Sequence, residues 1–229
     1  MNPQVIGYGE DALTYWAVTQ KLQDVLNKLG EPQAKDCLVF YRPSFGRGMN
    51  IGEFDAILAT PNCVYLIESK WQGPEEPKTL PKKIVLGKSQ PNRHSTLKKI
   101  RQHWLKRREL IFAKSGARIH VNGRSLPAQD TTLARNVVQI FGQIDAKYPD
   151  ARTMKNVCLY FSCEDDRTRC PTRITVDKKD CDVSDFQIVH LEYPLTSNAR
   201  GFISLNRLVH EQPLSTAPPS RISHVLREV

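Results

Sequence analysis

The sequence predicts a fold of class α/β (α+β), on three observations. Apolar residues recur at helical spacing over Glu10–Leu29, Thr96–Lys114 and Thr131–Lys147. Short apolar runs bounded by turn residues read as strands at Cys37–Tyr41, twice within Ile51–Trp71, and at Asn156–Ser162, Arg173–Val176 and Phe186–Tyr193. The two kinds of segment are interleaved, which calls for a mixed sheet with helices against it. The chain has 229 residues, enough for one domain with a full core; 40% are hydrophobic and 25% charged, an ordinary globular balance. Residues 1–211 read as a single domain, with a core over 7–115 and a C-terminal extension over 116–211. The tail, 212–229, holds three prolines and several serines and is expected to be loosely held.

In chain order, Gly7-Tyr8-Gly9-Glu10 opens the first helix, whose apolar positions are Leu13, Trp16, Val18, Leu22, Val25, Leu26 and Leu29, with Gly30 as its stop. The Cys37–Tyr41 strand leads into a Pro-, Ser- and Gly-containing loop, Arg42–Asn50. Two strands then flank a tight turn at Pro61-Asn62. Gln72–Ser95 is rich in Pro, Lys and Gly and reads as an exposed loop with a short hairpin around Lys83–Leu86. The helix from Thr96 buries Leu97, Ile100, Trp104, Leu105, Ile111 and Phe112 and carries Lys98, Lys99, Arg101, Lys106, Arg107 and Arg108 elsewhere. Gly201–His210 reads as a last helix.

No apolar run approaches the roughly 20 residues that span a bilayer, and Met1–Glu10 lacks the layout of a secretory signal. A soluble, cytoplasmic protein is expected, with no membrane partner. The net charge of +9 favours polyanionic partners, because each phosphate neutralised by Lys or Arg releases counterions. Six cysteines are present, four of them between Cys158 and Cys181, but none forms a C-x-x-C pair. Reduced, unconnected thiols are the plainer reading beside a structural zinc.

The most informative segment is Ile51–Trp71. Side chains alternate between the faces of a strand, so Asp55, Ile57 and Ala59 share one face of the first strand, and Val64, Leu66, Glu68 and Lys70 one face of the second. If Thr60 pairs with Cys63 across the turn, Asp55 stands opposite Glu68. Two carboxylates facing each other in a largely buried sheet must protonate, find a cation or cost several kcal/mol. Lys70 supplies one positive charge, and a divalent ion would supply more. Two carboxylates plus waters suit octahedral Mg²⁺, and the Ser69 carbonyl is a possible third protein ligand. Such an ion activates water for phosphodiester hydrolysis, with the lysine beside the attacking water or the developing charge.

Phe54-Asp55 followed by Glu68-Ser69-Lys70 on the next strand resembles the PD-(D/E)xK nuclease signature. Gly9-Glu10 ahead of the first helix, Gly52-Glu53-Phe54-Asp55, and Glu68-Ser69-Lys70-Trp71-Gln72-Gly73 are similar to the nuclease-related domain of that superfamily. The resemblance covers roughly Gly7–Leu110, with Phe54 standing where the naming proline would be. It implies a restriction-endonuclease-like core with a central mixed sheet, Mg²⁺ or Mn²⁺, and DNA as substrate. It also brings Glu10 to the metal site, directly or through water; otherwise Glu10 is a carboxylate favourably placed at a helix N-terminus. The family often carries a Gln on the helix after these strands, and Gln102 is the nearest candidate.

The expectation is a DNA endonuclease in which Asp55, Glu68, Lys70 and Glu10 are catalytic and Asp55, Glu68 and Ser69 hold the ion. Arg42 and Arg47, flanking the loop before the first catalytic strand, and Lys98, Arg101 and Gln102 of the basic helix are the candidate nucleic-acid contacts. Glu53 is a reserve ligand. RNA is not excluded, and a duplex-cutting member would dimerise or recruit a partner protein. The alternative is a nuclease-derived module that holds nucleic acid or an assembly partner without cutting.

Overall fold

The strands either side of Pro61-Asn62 form the middle of a five-stranded mixed sheet flanked by helices. The computed structural model describes residues 5–34, 36–46, 48–72, 83–107, 112, 120–164, 170–177, 184–194 and 201–205. In chain order the elements are β1 (Ile6–Tyr8), α1 (Gly9–Thr19), α2 (Leu22–Leu29), β2 (Leu38–Tyr41), a 3-10 turn (Gly48–Asn50), β3 (Ala56–Ala59), β4 (Cys63–Trp71) and β5 (Lys83–Leu86). There follow α3 (Ser89–Arg107), β6 (His120–Val121), β7 (Arg124–Ser125), α4 (Thr132–Lys147), β8 (Thr153–Cys163), β9 (Arg173–Val176), β10 (Phe186–Tyr193) and β11 (Phe202–Ser204). The central sheet has the order β10-β8-β4-β3-β2. Strands β2, β3 and β4 are antiparallel neighbours, whereas β8 and β10 join in parallel. The C-terminal half therefore completes the central sheet, contributing two of its five strands.

Alternation along the strands divides the core. Leu58, Tyr65 and Ile67 face α1 and α2, meeting Leu13, Trp16, Ala17, Val25, Leu26 and Leu29. Ile57, Val64 and Leu66 face α3 and α4, meeting Leu97, Ile100, Trp104, Val137, Phe141 and Ile144. With both faces covered, β4 is buried from Cys63 to Ser69, and each large apolar side chain removed from water stabilises the fold by roughly 1.5–3 kcal/mol. Thr131 caps α4 by accepting from the Ala134 N–H, so the helix starts where the sequence suggests.

Four expectations change. The first helix is two: Gln20 and Lys21 both donate their N–H to the Trp16 carbonyl, ending α1 so that α2 can turn its own apolar residues onto the sheet. Gly30, at φ 82, ends α2 in the left-handed conformation that favours glycine. Lys83–Leu86 is no hairpin; it pairs in parallel with β9, a partner some ninety residues away (Lys83 with Arg173) that local sequence does not announce. Helix α3 starts at Ser89 rather than Thr96, because Pro91 sits in its first turn, where no intrahelical N–H bond is required. Phe202–Ser204 is a strand on β1, not the start of a helix; residues 206–210 and the tail 212–229 lie outside the described residues. Cys37, Cys63, Cys158, Cys163 and Cys170 carry free thiols. Among the described residues no helix is long and apolar enough to cross a membrane.

Candidate active site

The β3–β4 register pairs Ala56 with Ile67 and Ala59 with Val64, and the Thr60 N–H donates to the Cys63 carbonyl (2.9 Å). Extended by one residue, that register sets Asp55 against Glu68, on the face that α3 covers. Asp55 precedes β3, and one carboxylate oxygen accepts the Ser69 N–H at 2.6 Å. Burial pushes the Asp55 pKa up, Glu68 adds to the rise, and the Ser69 N–H, Lys70 and Arg93 oppose it. Lys70 Nζ donates to the Ser69 carbonyl (2.7 Å) and lies 3.5 Å from Glu10 Oε1. Glu10 is brought there by α1, which β4 holds through a hydrogen bond from Thr14 Oγ1 to Ser69 Oγ (2.6 Å). Its pKa rises to about 7, first through burial; Lys70 opposes the shift, and Asp55 and Glu68 enlarge it. Glu10, Asp55, Glu68 and Lys70 thus lie close enough to shape one another's charge.

Glu68 has an environment its sequence position does not reveal. It is fully buried, and four hydrogen bonds reach its carboxylate. Arg93 donates Nε to Oε1 (2.6 Å) and NH2 to Oε2, Gln90 Nε2 donates to Oε2 (2.6 Å), and His94 Nε2 lies 2.9 Å from Oε1. Burial alone would raise the Glu68 pKa; the bonds from His94 and Arg93 outweigh it and hold the group below its ordinary value. Gln90 is oriented by the Gly87 N–H, which donates to its Oε1 (2.7 Å) at the junction of β5 and α3. Asn156 turns Nδ2 to Asp185, so its Oδ1 faces His94 Nδ1 (3.1 Å). Both ring nitrogens of His94 then point at oxygen. Phe54 backs the cluster: the His94 ring lies 5.0 Å and the Arg93 guanidinium 5.4 Å from its ring.

A carboxylate has about four acceptor positions, and those of Glu68 are taken. Among the described residues no three His, Cys, Asp or Glu side chains form a ready metal cage. The remaining oxygens keep acceptor capacity for a hydrated divalent ion: Asp55 accepts one hydrogen bond and Glu10 shares Lys70. Glu68 can join them only by exchanging Arg93. Asp55 and Glu10 are therefore the carboxylates with room left for a ligand such as a hydrated Mg²⁺ or Mn²⁺. The Ser69 carbonyl, which already accepts from Lys70, keeps one lone pair.

Of the nucleic-acid candidates, the structure removes Arg101. Arg101 is 1% exposed, donates to Asp145 and to the Ala151 carbonyl (3.2 Å), and lies over Phe141; it is a core residue and cannot reach a phosphate. Gln102 is exposed; the glutamine that reaches Glu68 is Gln90, placed by the earlier start of α3. Lys98 is half-buried and faces Asp185 at 3.8 Å. Arg42 is committed to Asp11 and Glu53, which also occupies Glu53. Arg47 lies outside the described residues. Trp71 packs: its indole N–H donates to the Tyr193 hydroxyl (3.1 Å), and a Cβ on Gly201 would come within 2.5 Å of its ring. Gln90, Arg93 and His94 lie in a segment that reads as loop. The signal that finds them is their spacing of three and four residues, which puts all three on one side of a helical turn. Compared with protein-family models, curated proteins and solved structures, the chain matches none.

Proposed function

We propose that this chain is a metal-dependent nuclease on a restriction-endonuclease-like core, hydrolysing phosphodiester bonds in DNA. The observation that carries the reading is the meeting of Glu10, Asp55 and Lys70 beside buried Glu68 at one end of β4. A bound Mg²⁺ or Mn²⁺ would polarise the phosphoryl oxygen and acidify a water ligand. Asp55 and Glu10 would hold it. Lys70, tethered between the Ser69 carbonyl and Glu10, presents its ammonium to the phosphoryl group and offsets the charge that builds there. Glu68, clasped by Arg93, Gln90 and His94, fixes the end of the strand on which Lys70 stands. The free thiols suit the reducing cytoplasm.

The saturation of Glu68 favours a second reading, a module that binds nucleic acid or an assembly partner, itself included, without cutting. A cleavage panel separates the two: single-stranded, duplex, nicked and branched DNA, and RNA, each with Mg²⁺ and Mn²⁺. The nuclease reading expects cleavage by the wild type and its loss in Lys70→Ala; equal cleavage by both refutes the assignment of Lys70. No cleavage of any substrate, with binding retained, selects the second reading.

A further inference from the structure

Beside the candidate centre, two adjoining cavities of about 380 and 310 Å³ run between the Gly48–Asn50 turn, α3 and the β6–β7 hairpin. They share Asn50 and Ser89, and the smaller reaches Arg93, whose guanidinium holds Glu68. The groove therefore leads directly from the carboxylate cluster. Ser89, Asn92 and Thr96 recur along α3 at spacings of three and four, a polar stripe next to the apolar one that faces the sheet. Asn122 joins the far wall to this helix, donating to Thr96 Oγ1 (2.9 Å) and accepting from Lys99. Among the described residues, no acidic side chain lines either cavity. Arg124, exposed at the far end, has no acidic partner among the described residues. Left-handed backbone occurs on both walls, at Met49 (φ 56) and Asn50 (φ 58) on one and Asn122 (φ 52) on the other. Such conformations cost energy at Met49 in particular and turn backbone polar groups in directions that regular structure does not offer.

Amide and hydroxyl groups beside a guanidinium, with no carboxylate among the described lining residues, are the chemistry that holds a sugar–phosphate backbone. We propose that this groove receives the strand whose phosphodiester lies at Lys70, with Arg124 neutralising a phosphate some nucleotides from the scissile bond. The proposal rests on the nuclease reading for the position of that bond. The phosphate-binding face of α3 is then its Ser89–Asn92 turn rather than the stretch around Arg101, while Thr96, whose hydroxyl donates to the Asn92 carbonyl (2.8 Å), ties Asn122 to the helix.

The test uses the full chain, with single-stranded DNA and RNA oligonucleotides bound in Ca²⁺ over a salt series, and with cleavage of the same strands and of bis(4-nitrophenyl) phosphate in Mg²⁺ and Mn²⁺. Arg124→Ala is compared with Arg152→Ala, an exposed arginine after α4 and away from the groove. Arg124→Ala should weaken strand binding about five- to tenfold and lower the slope of log K against log salt by about 0.7, the contribution of one single-strand phosphate contact. Arg152→Ala should do neither, and unchanged melting of both variants shows that they fold. The DNA and RNA arms identify which strand the groove takes. Equal binding by the two variants, or no strand binding by the wild type, overturns the groove. Strand binding that depends on Arg124, without cleavage of strand or ester, leaves the groove standing and ends the nuclease reading. Cleavage of strand and ester with no Arg124 effect does the reverse.

Discussion

Removing Arg93 should expose the cost of burying Glu68. The Glu68 side chain is 0% and that of Arg93 16% exposed, so water screens their pairing little. Breaking a buried ion pair from one side typically costs 3–5 kcal/mol, because the other charge is left without its partner. Gln90 and His94 would still donate to Glu68, which places Arg93→Ala at the low end, about 3 kcal/mol. For a chain of this size that corresponds to a melting point lower by about 6–12 °C. The Glu68 pKa is depressed, so the pair's contribution is fully present above the ordinary carboxylate range and is lost as pH falls through the depressed folded value. The gap between wild type and variant should therefore be widest near neutral pH and close in acid. Denaturant melts of wild type, Arg93→Ala, Glu68→Gln and the double variant give the coupling directly. A divalent ion should recover part of the loss in Arg93→Ala, since it can take the place that the guanidinium leaves beside Glu68. A coupling below about 0.5 kcal/mol, the level of an exposed pair, would refute the account of Glu68 as a carboxylate held by Arg93.

Two further outcomes follow from other parts of the site and core. Because the Glu10 pKa is raised to about 7, wild-type stability carries a contribution that is full below about pH 4.5 and is lost as pH rises through about 7. Glu10→Gln should thus be more stable than wild type at pH 8 and equal to it at pH 4.5. The full shift corresponds to about 3 kcal/mol, but the side chain is 36% exposed, and solvent screening reduces the gain to the order of 1 kcal/mol, readable in thermal melts across pH. Asp145→Ala should destabilise the fold by about 3–5 kcal/mol in urea melts. It strands Arg101, 1% exposed, whose Nε and NH1 already lack partners, and it removes the acceptor of the Trp104 indole N–H. A loss no larger than a surface pair gives would return Arg101 to the candidate phosphate ligands.

The part of the site written in strands is legible in the sequence, and the part supplied by α3 is not. Period-two alternation about Pro61-Asn62 fixes which face each side chain takes, so the Asp55–Glu68 opposition follows from counting residues. Gly9-Glu10 and Lys70 come together because α1 packs on β4. The clasp on Glu68 is hidden for two reasons. Pro91 and the polar residues around it mask the first turn of α3, and the Gly87 N–H that aims Gln90 follows β5, whose partner β9 lies far along the chain. Charge misleads at Arg101: a basic residue on a basic helix reads as a surface group, and only the packing of α3 on α4 shows it paired with Asp145. The β6–β7 hairpin, which walls the proposed groove, does carry a signal, Asn122-Gly123, with both residues at positive φ as a tight hairpin turn requires.

The proposed nuclease chemistry needs Asp55 and Glu10 to take one divalent ion between them. Titration of Mn²⁺ into the full chain, followed by electron paramagnetic resonance of the free ion, tests this most directly. One Mn²⁺ should bind per wild-type chain, with affinity reduced at least tenfold in Asp55→Asn and raised in Arg93→Ala. Uptake that is absent in the wild type, or equal in wild type and Asp55→Asn, would contradict it.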